Sequence, residues 1–407
     1  MKNTIKVATL LSLSAATLLA SGYRIPEQSL NSTALSAAYV ANANGADASY
    51  YNPANMALMG GGAEIEGVFT YINLPKVQYT DAAVVSRNAD SKDEHFFVPT
   101  MHYVSPMMGD WRYGLSMVAP GGLSKRWDET FQMLKAEEFT LRVIEVNPTA
   151  SYRVNEQFAL GFGLRAVYSD GVIKLRGGAP YSAATYQHKM EADSIDFGYN
   201  VALTYVPVDN LTLSSTYRSK VDLTVNGEIT GSSTIPGTVY PSDVKTQVPL
   251  PASLTLAAAY TIDKTTVEFV FERTYWSAYD KLDFDFTNPV LEASPFGAVT
   301  SKNWKDVNAY RIGVTHQYSD ALKLMAAFAI DKNPIPDNRV AFELPDSDAK
   351  LYSVGFEYKI NEKTKVGLAY LYDDKESRKV VNASAGVNGT FTDSAAHLVT
   401  ASLKYKF

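Results

Sequence analysis

The chain has 407 residues, of which 46% are hydrophobic, 12% aromatic and 20% charged, with a formal net charge of −6. The mild negative charge excludes recognition of nucleic acid by a basic face, and the absence of cysteine excludes a disulfide scaffold, a thiolate metal site, a thiol nucleophile and a lipoprotein anchor. Past the N-terminus no apolar run reaches the roughly eighteen residues that a membrane-spanning helix needs.

Residues 1–20 read as a secretory signal. Lys2 and Lys6 supply the positive start, 7–19 the apolar stretch, and a cut after Ala20 is expected, with a cut after Gly22 as the alternative. Residues 21–62 are polar and rich in small side chains; Ala34, Leu35, Ala37, Ala38 and Val40 suggest one short helix there. From residue 63 to 407 strand periodicity takes over. In the last segment Val399, Ala401, Leu403, Tyr405 and Phe407 alternate with Thr400, Ser402, Lys404 and Lys406, the dyad of a lipid-facing barrel strand. Fourteen such segments fall near 63–74, 94–105, 111–120, 138–153, 157–173, 188–206, 210–227, 245–261, 264–276, 302–317, 320–331, 349–360, 363–374 and 391–407. Short turns such as 154–156 and 262–263 alternate with long Gly-, Pro- and Ser-rich loops such as 277–301 and 332–348, as periplasmic turns alternate with extracellular loops.

The sequence therefore predicts an all-β transmembrane protein of a Gram-negative outer membrane: a 14-stranded antiparallel barrel over 63–407, with 21–62 as a small, mostly helical or irregular plug. A barrel of that size has more interior than its own side chains fill, and closure satisfies every backbone group in lipid. The 26 Tyr, against 18 Phe and 4 Trp, suit an interfacial girdle. One stretch outside the plug resists the strand pattern. In 121–137 Trp127, Phe131 and Leu134 recur at helical spacing, an apolar face in an extracellular loop that suits ligand capture. Inward positions carry Arg153, Arg165, Arg218, Glu268, Glu272 and Arg311. Arg165 and Arg311 are expected to meet a ligand carboxylate, and the alternative pairs them with Glu268 and Glu272 as braces. A hydrolase would need a nucleophile and a base. Of the five His, His316 and His397 fall on outward faces and His95 and His188 in or beside loops, and no GxSxG or HExxH run occurs. A polar-solute porin would need an open lumen. No enzyme activity, cofactor or metal is expected.

Asn52-Pro53-Ala54, between the plug and the first strand, resembles the NPA motif in the N-terminal hatch of the FadL/TodX family of outer-membrane channels for long-chain fatty acids and other hydrophobic compounds. Ser21-Gly22-Tyr23 resembles that family's small-Gly-aromatic start. The resemblance continues in LRVIEVNPTASYRVNEQFALGFGLRAVYSD (141–170), WKDVNAYRIGVTHQY (304–318) and AFAIDKNPIPDNRVAFELPDSD (327–348). It implies passive uptake: capture in an extracellular apolar groove, transfer to an internal site beside the hatch N-terminus at Tyr23, and lateral release through a wall gap at a kinked third strand. Trp127, Phe131, Met133, Leu134 and Phe139 are the groove candidates; Gly114, Pro120, Gly121 and Gly122 are the kink candidates, since Gly and Pro break ladder pairing. Long-chain fatty acid is the leading ligand, monoaromatic or alkane hydrocarbon the second. The partners implied are outer-membrane lipid and lipopolysaccharide, and the barrel assembly machinery acting through Phe407. A monomer that binds no nucleic acid is expected.

Overall fold

A computed structural model describes residues 22–407; the expected signal at 1–20 lies outside the described residues. Fourteen wall strands follow in chain order. They are β1 (Glu64–Leu74), β2 (Glu94–Val104), β3 (Trp111–Arg126), β4 (Glu138–Arg153), β5 (Phe158–Gly177) and β6 (Tyr186–Val208). Next come β7, in two pieces (Leu211–Arg218 and Val221–Ser233), β8, also in two (Ser242–Leu250 and Ser253–Ile262), and β9 (Thr265–Thr274). The wall ends with β10 (Val307–Gln317), β11 (Leu322–Asp331), β12 (Ala349–Lys359), β13 (Thr364–Lys375) and β14 (Ala395–Lys406). Neighbours pair antiparallel, and β1 closes on β14 from Glu64↔Lys406 to Asn73↔His397. Turns of a few residues join strands at one end and long loops at the other.

The exposure pattern is inverted relative to a soluble protein. Along β14 the apolar Val399, Leu403 and Tyr405 are exposed while Thr400, Ser402 and Lys404 are buried. The same holds on β6, where Ile195, Phe197 and Tyr199 face outward. Apolar side chains outside and polar ones inside are the arrangement a hydrocarbon solvent selects. Among the described residues no helix is long and apolar enough to cross a membrane.

Residues 22–62 pack inside the barrel. Their first helix, α1 (Leu30–Ala34), starts four residues before the predicted one and ends where Ser36 and Ala37 take positive φ of 45° and 61°. Small-residue periodicity over 34–40 marked close packing against the wall rather than a helix. Two one-turn helices follow, α2 (Ala48–Tyr51) and α3 (Pro53–Met56). At the NPA site Asn52 caps α3 by accepting from the Ala54 N–H (3.2 Å), and Pro53 starts the helix. The Asn52 amide also donates to Thr204 (2.9 Å) and Ser214 (3.0 Å), tying the segment to β6 and β7. Gly161 of β5 makes this approach possible, because a Cβ there would collide with the Ala54 amide. On the far side Glu268 of β9 accepts from the Val40, Ala41 and Asn42 N–H groups at 2.7, 2.6 and 3.2 Å.

The helix expected over 121–137 is shorter than its spacing suggested. Residues 121–126 continue β3, Trp127 follows in coil, and α4 covers only Thr130–Ala136.

Candidate functional site

Above the N-terminal segment lies an apolar cavity of about 940 Å³, counting the space at its mouth. Its wall comes from Leu123 of β3, Phe139 and Leu141 of β4, Ile173 of β5, Met190 of β6, Leu223 and Val225 of β7, and the long loops through Leu282, Trp304, Ile335 and Leu344. Tyr23 forms the floor. Its ring packs against Trp276 (4.6 Å between centroids, edge-on) and Trp304 (5.7 Å), and its hydroxyl donates to the Pro249 carbonyl. Gly22 sits between the two indoles with φ +71°, where a Cβ would come within 2.8 Å of Trp276 and 2.9 Å of Trp304. Glycine at position 22 is thus a steric requirement for seating Tyr23.

A wider outer cavity of about 2130 Å³ opens above the first and shares with it Phe139, Ile173, Met190, Leu282, Phe284 and Arg339, among other residues. Of the groove candidates, Leu134 and Phe139 line this outer cavity. Trp127 is buried behind it, its indole donating to the Phe342 carbonyl at 2.9 Å. Phe131 stacks under Arg87 (4.3 Å) and against Tyr181 (5.2 Å), which itself lines the cavity. Met133 lines neither cavity.

Three charged residues border both cavities. Lys302 and Glu343 form an ion pair at 2.8 Å. Burial opposes ionisation of both, but their mutual attraction prevails and holds Glu343 below and Lys302 above their ordinary values. Arg339, on the loop between β11 and β12, is partly buried and has no side-chain hydrogen bond or ion pair among the described residues.

Arg165 and Arg311, the predicted carboxylate ligands, already hold acidic partners. Arg165 donates to Glu145 of β4 (2.8 Å) and to the Ser219 carbonyl (2.5 Å), with Arg218 on the other Glu145 oxygen. Arg311 reaches Glu272 (3.4 Å), Asp331 (3.3 Å) and the Ser36 carbonyl (3.2 Å). Neither lines the apolar cavity; Arg311 borders a smaller, polar chamber beneath Tyr23 with Arg24 and Arg218. They brace the wall and the N-terminal segment. The signal that sequence reasoning missed was the loop block around Arg339, which has no periodicity to place it.

The wall itself is interrupted at β3. β2 and β3 pair only from Val104↔Gly114 to Met101↔Met117, then part, and rejoin where the Lys92 N–H reaches the Arg126 carbonyl (2.9 Å). On the other side, the β3–β4 register slips between Val118 and Gly121. Pro120, Gly121 and Gly122 thus occupy the kink. Gly114 does not: it lies in regular ladder on both sides, and its missing Cβ makes room for Ser49 and Met56. The freed β3 edge is paired from within. Gln28 accepts from the Ala119 N–H (2.7 Å) and donates to the Ala119 carbonyl (2.9 Å), Ile25 N–H reaches the Pro120 carbonyl (3.0 Å), and Gly122 N–H the Tyr23 carbonyl (2.9 Å). Gln28 is held in turn by Thr100 (2.7 Å) and His102 (2.9 Å) of β2 at its own carbonyl.

Comparison with known proteins agrees with this architecture. The family model described as "Outer membrane protein transport protein (OMPP1/FadL/TodX)" matches residues 11–407. The chain is 23% identical over 329 residues to the long-chain fatty acid transport protein of Salmonella typhi, covering 72% of this chain and 73% of that one. It is likewise 23% identical over 338 residues to the protein of the same name from Escherichia coli (strain K12), covering 72% and 74%. Among solved structures, a Pseudomonas aeruginosa FadL homologue superposes with TM-score 0.83 at 17% identity over 95% of this chain and all of the other. The Pseudomonas putida toluene transporter TodX gives 0.71 at 18% identity, again over 95% of this chain and all of the other.

Proposed function

Since the chain belongs to the OMPP1/FadL/TodX family of outer membrane transport proteins, we propose that it carries long-chain fatty acids inward by diffusion and releases them sideways through its wall. The observation that carries the reading is an apolar inner cavity joined to a wider outer one, with Arg339, which has no side-chain partner among the described residues, bordering both. A carboxylate leaving water needs a partner, and an acyl chain needs dry walls. The outer cavity takes the ligand through Leu134, Phe139 and Tyr181. The inner one holds the tail over Tyr23 while Arg339 meets the acid group.

Release follows from what seals the β2–β3 gap. Tyr23 is both the floor of the cavity and, through its carbonyl, a partner of the β3 edge. Ligand pressing on Tyr23 therefore acts on the segment 23–28 that closes the gap. Residues 22–62 as a plug keep polar solutes out. The relatives' names support fatty acid as the cargo. Monoaromatic hydrocarbons are the second reading, favoured by the otherwise apolar inner wall, where Lys302 is already neutralised by Glu343.

Arg339→Ala separates the two. A charge-assisted hydrogen bond contributes about 1.5–3 kcal/mol, so fatty-acid affinity should fall roughly ten- to hundredfold with toluene affinity unchanged, measured by calorimetry on the purified barrel. Unchanged fatty-acid affinity would remove the carboxylate assignment.

A further inference from the structure

The wall parts at a second place. β6 and β7 pair from Val208↔Leu211 up to Asn200↔Arg218 and again from Asp193↔Asn226 to Tyr186↔Ser233, but no ladder pair joins them in between. Each strand is otherwise intact on its outer side: β5–β6 pairing runs unbroken through this stretch, and the upper piece of β7 pairs with β8 from Val221↔Leu250 to Ile229↔Ser242. The cause is a bend shared by two strands. β7 breaks at residues 219–220 and β8 at 251–252, directly opposite, so the upper halves of both lean away from β6 together. The register across the seam shifts by one residue, and Gly198 lets the bend come close: a Cβ there would lie 2.7 Å from Val221 and 2.8 Å from Ser219.

Side chains of the wall do what the ladder does not. Asp196 accepts from the Thr224 N–H (3.1 Å) and from the Ser194 hydroxyl (2.6 Å), Ser219 Oγ accepts from the Tyr199 N–H (2.9 Å), and Arg165 takes the Ser219 carbonyl. Unpaired backbone in a lipid-facing wall is tolerated only when satisfied in this way. The outer lip is apolar on β6, with Ile195 65% and Phe197 73% exposed, and carries the Lys220–Asp222 ion pair (2.8 Å) on β7. Such a pair sits best at headgroup depth. The inner lip, Leu223 and Val225, is wall of the apolar cavity itself.

We propose that the β6–β7 seam is a second lateral port, through which hydrophobic compounds already dissolved in the outer leaflet pass directly into the apolar cavity. The proposal rests on the reading of that cavity as the ligand site, and it gives the protein two ways to load: from water through the outer cavity, and from lipid through the seam. Asp196 reaches from β6 across the opening to the backbone of β7's upper piece at Thr224, so it sets the aperture.

The absence of native cysteine makes the test clean. Asp196→Cys with Thr224→Cys, in a Trp111→Phe background that removes the one lipid-exposed indole, is reconstituted in liposomes and bridged by a short bis-methanethiosulfonate. Quenching of tryptophan fluorescence, dominated at the cavity by Trp304, is followed with two probes. Methyl dibromostearate is confined to the bilayer, and dibromo-octanoate is added in water. Bridging should slow quenching by the ester several-fold, reductant should restore it, and octanoate quenching should stay unchanged. Asp196→Ala, which keeps the fold and opens the seam, should speed the ester. Ester quenching at the same rate with and without the bridge would overturn the port. Failure of both probes to quench in the unbridged protein would instead overturn the cavity as ligand site, and the port with it.

Discussion

The two seams in this wall are closed by different means. At β2–β3 the hydrogen bonds that β3 lost to its neighbour are supplied by residues 23–28, a segment that belongs to no strand and ends at the cavity floor. At β6–β7 they are supplied by Asp196, Ser219 and Arg165, which are fixed on the wall. An edge sealed by a movable segment can be switched by whatever displaces that segment. An edge sealed by its own side chains has a constant aperture. On the proposed reading one barrel holds a gate and a standing slot, and in both places some of the hydrogen bonds the ladder lacks are supplied by other groups.

The contrast breaks most completely if β3 is made regular. Replacing Pro120, Gly121 and Gly122 with Val, Thr and Val lets β3 pair with β2 along its length, and fatty-acid uptake by cells should fall roughly tenfold or more while the barrel still folds and resists heat. Normal uptake would mean that ligand leaves elsewhere. Arg165→Ala strikes the other seam. It leaves buried Glu145 with Arg218 alone and the Ser219 carbonyl without a donor, and breaking a buried pair costs about 3 kcal/mol. The urea midpoint of the barrel should drop accordingly, with fatty-acid affinity unchanged; a lost affinity with intact stability would return Arg165 to the ligand. Gln28→Ala is the mildest. It strips both partners from the Ala119 peptide, at about 1–3 kcal/mol for groups left unsatisfied. Amide exchange at Ala119 should accelerate and uptake rise modestly, with no change at Ile195 or Phe197. Equal acceleration at both seams would show that they open as one.

Much of this was legible in the residues. Strand number, the alternation of short and long connections, and the inside-out dyads all follow from a period of two, which survives averaging over a chain of ordinary hydropathy. Pro120-Gly121-Gly122 was readable as a kink because those residues resist ladder pairing, whereas Gly114 has the same chemistry for a different reason, clearance for Met56. The carboxylate partner was not legible. Arg165 and Arg311 stand mid-strand among small neighbours, which looks like a ligand position until register brings Glu145 and Asp331 beside them. Arg339 sits in a loop whose inward fold depends on Ile335, Val340, Phe342 and Leu344 joining the core, a tertiary fact with no local period. The β6–β7 seam was invisible for a related cause: Ile195 to Tyr205 keep perfect alternation, and only the partner strand bends.

Release through the wall and release through the floor would leave different traces on the barrel. A long-chain fatty acid bearing a diazirine at its tail, taken up by cells and flashed during transport, reports the path as adducts mapped by mass spectrometry. Release through the wall should leave adducts on Leu223 and Met190 of the cavity and on Phe96 and Val98 of β2 beside the β2–β3 gap. Adducts instead on Thr261, Thr315 and Gln317, which line a separate polar chamber at the opposite end of the N-terminal segment from the apolar cavity, with none at the gap, would rule out release through the wall.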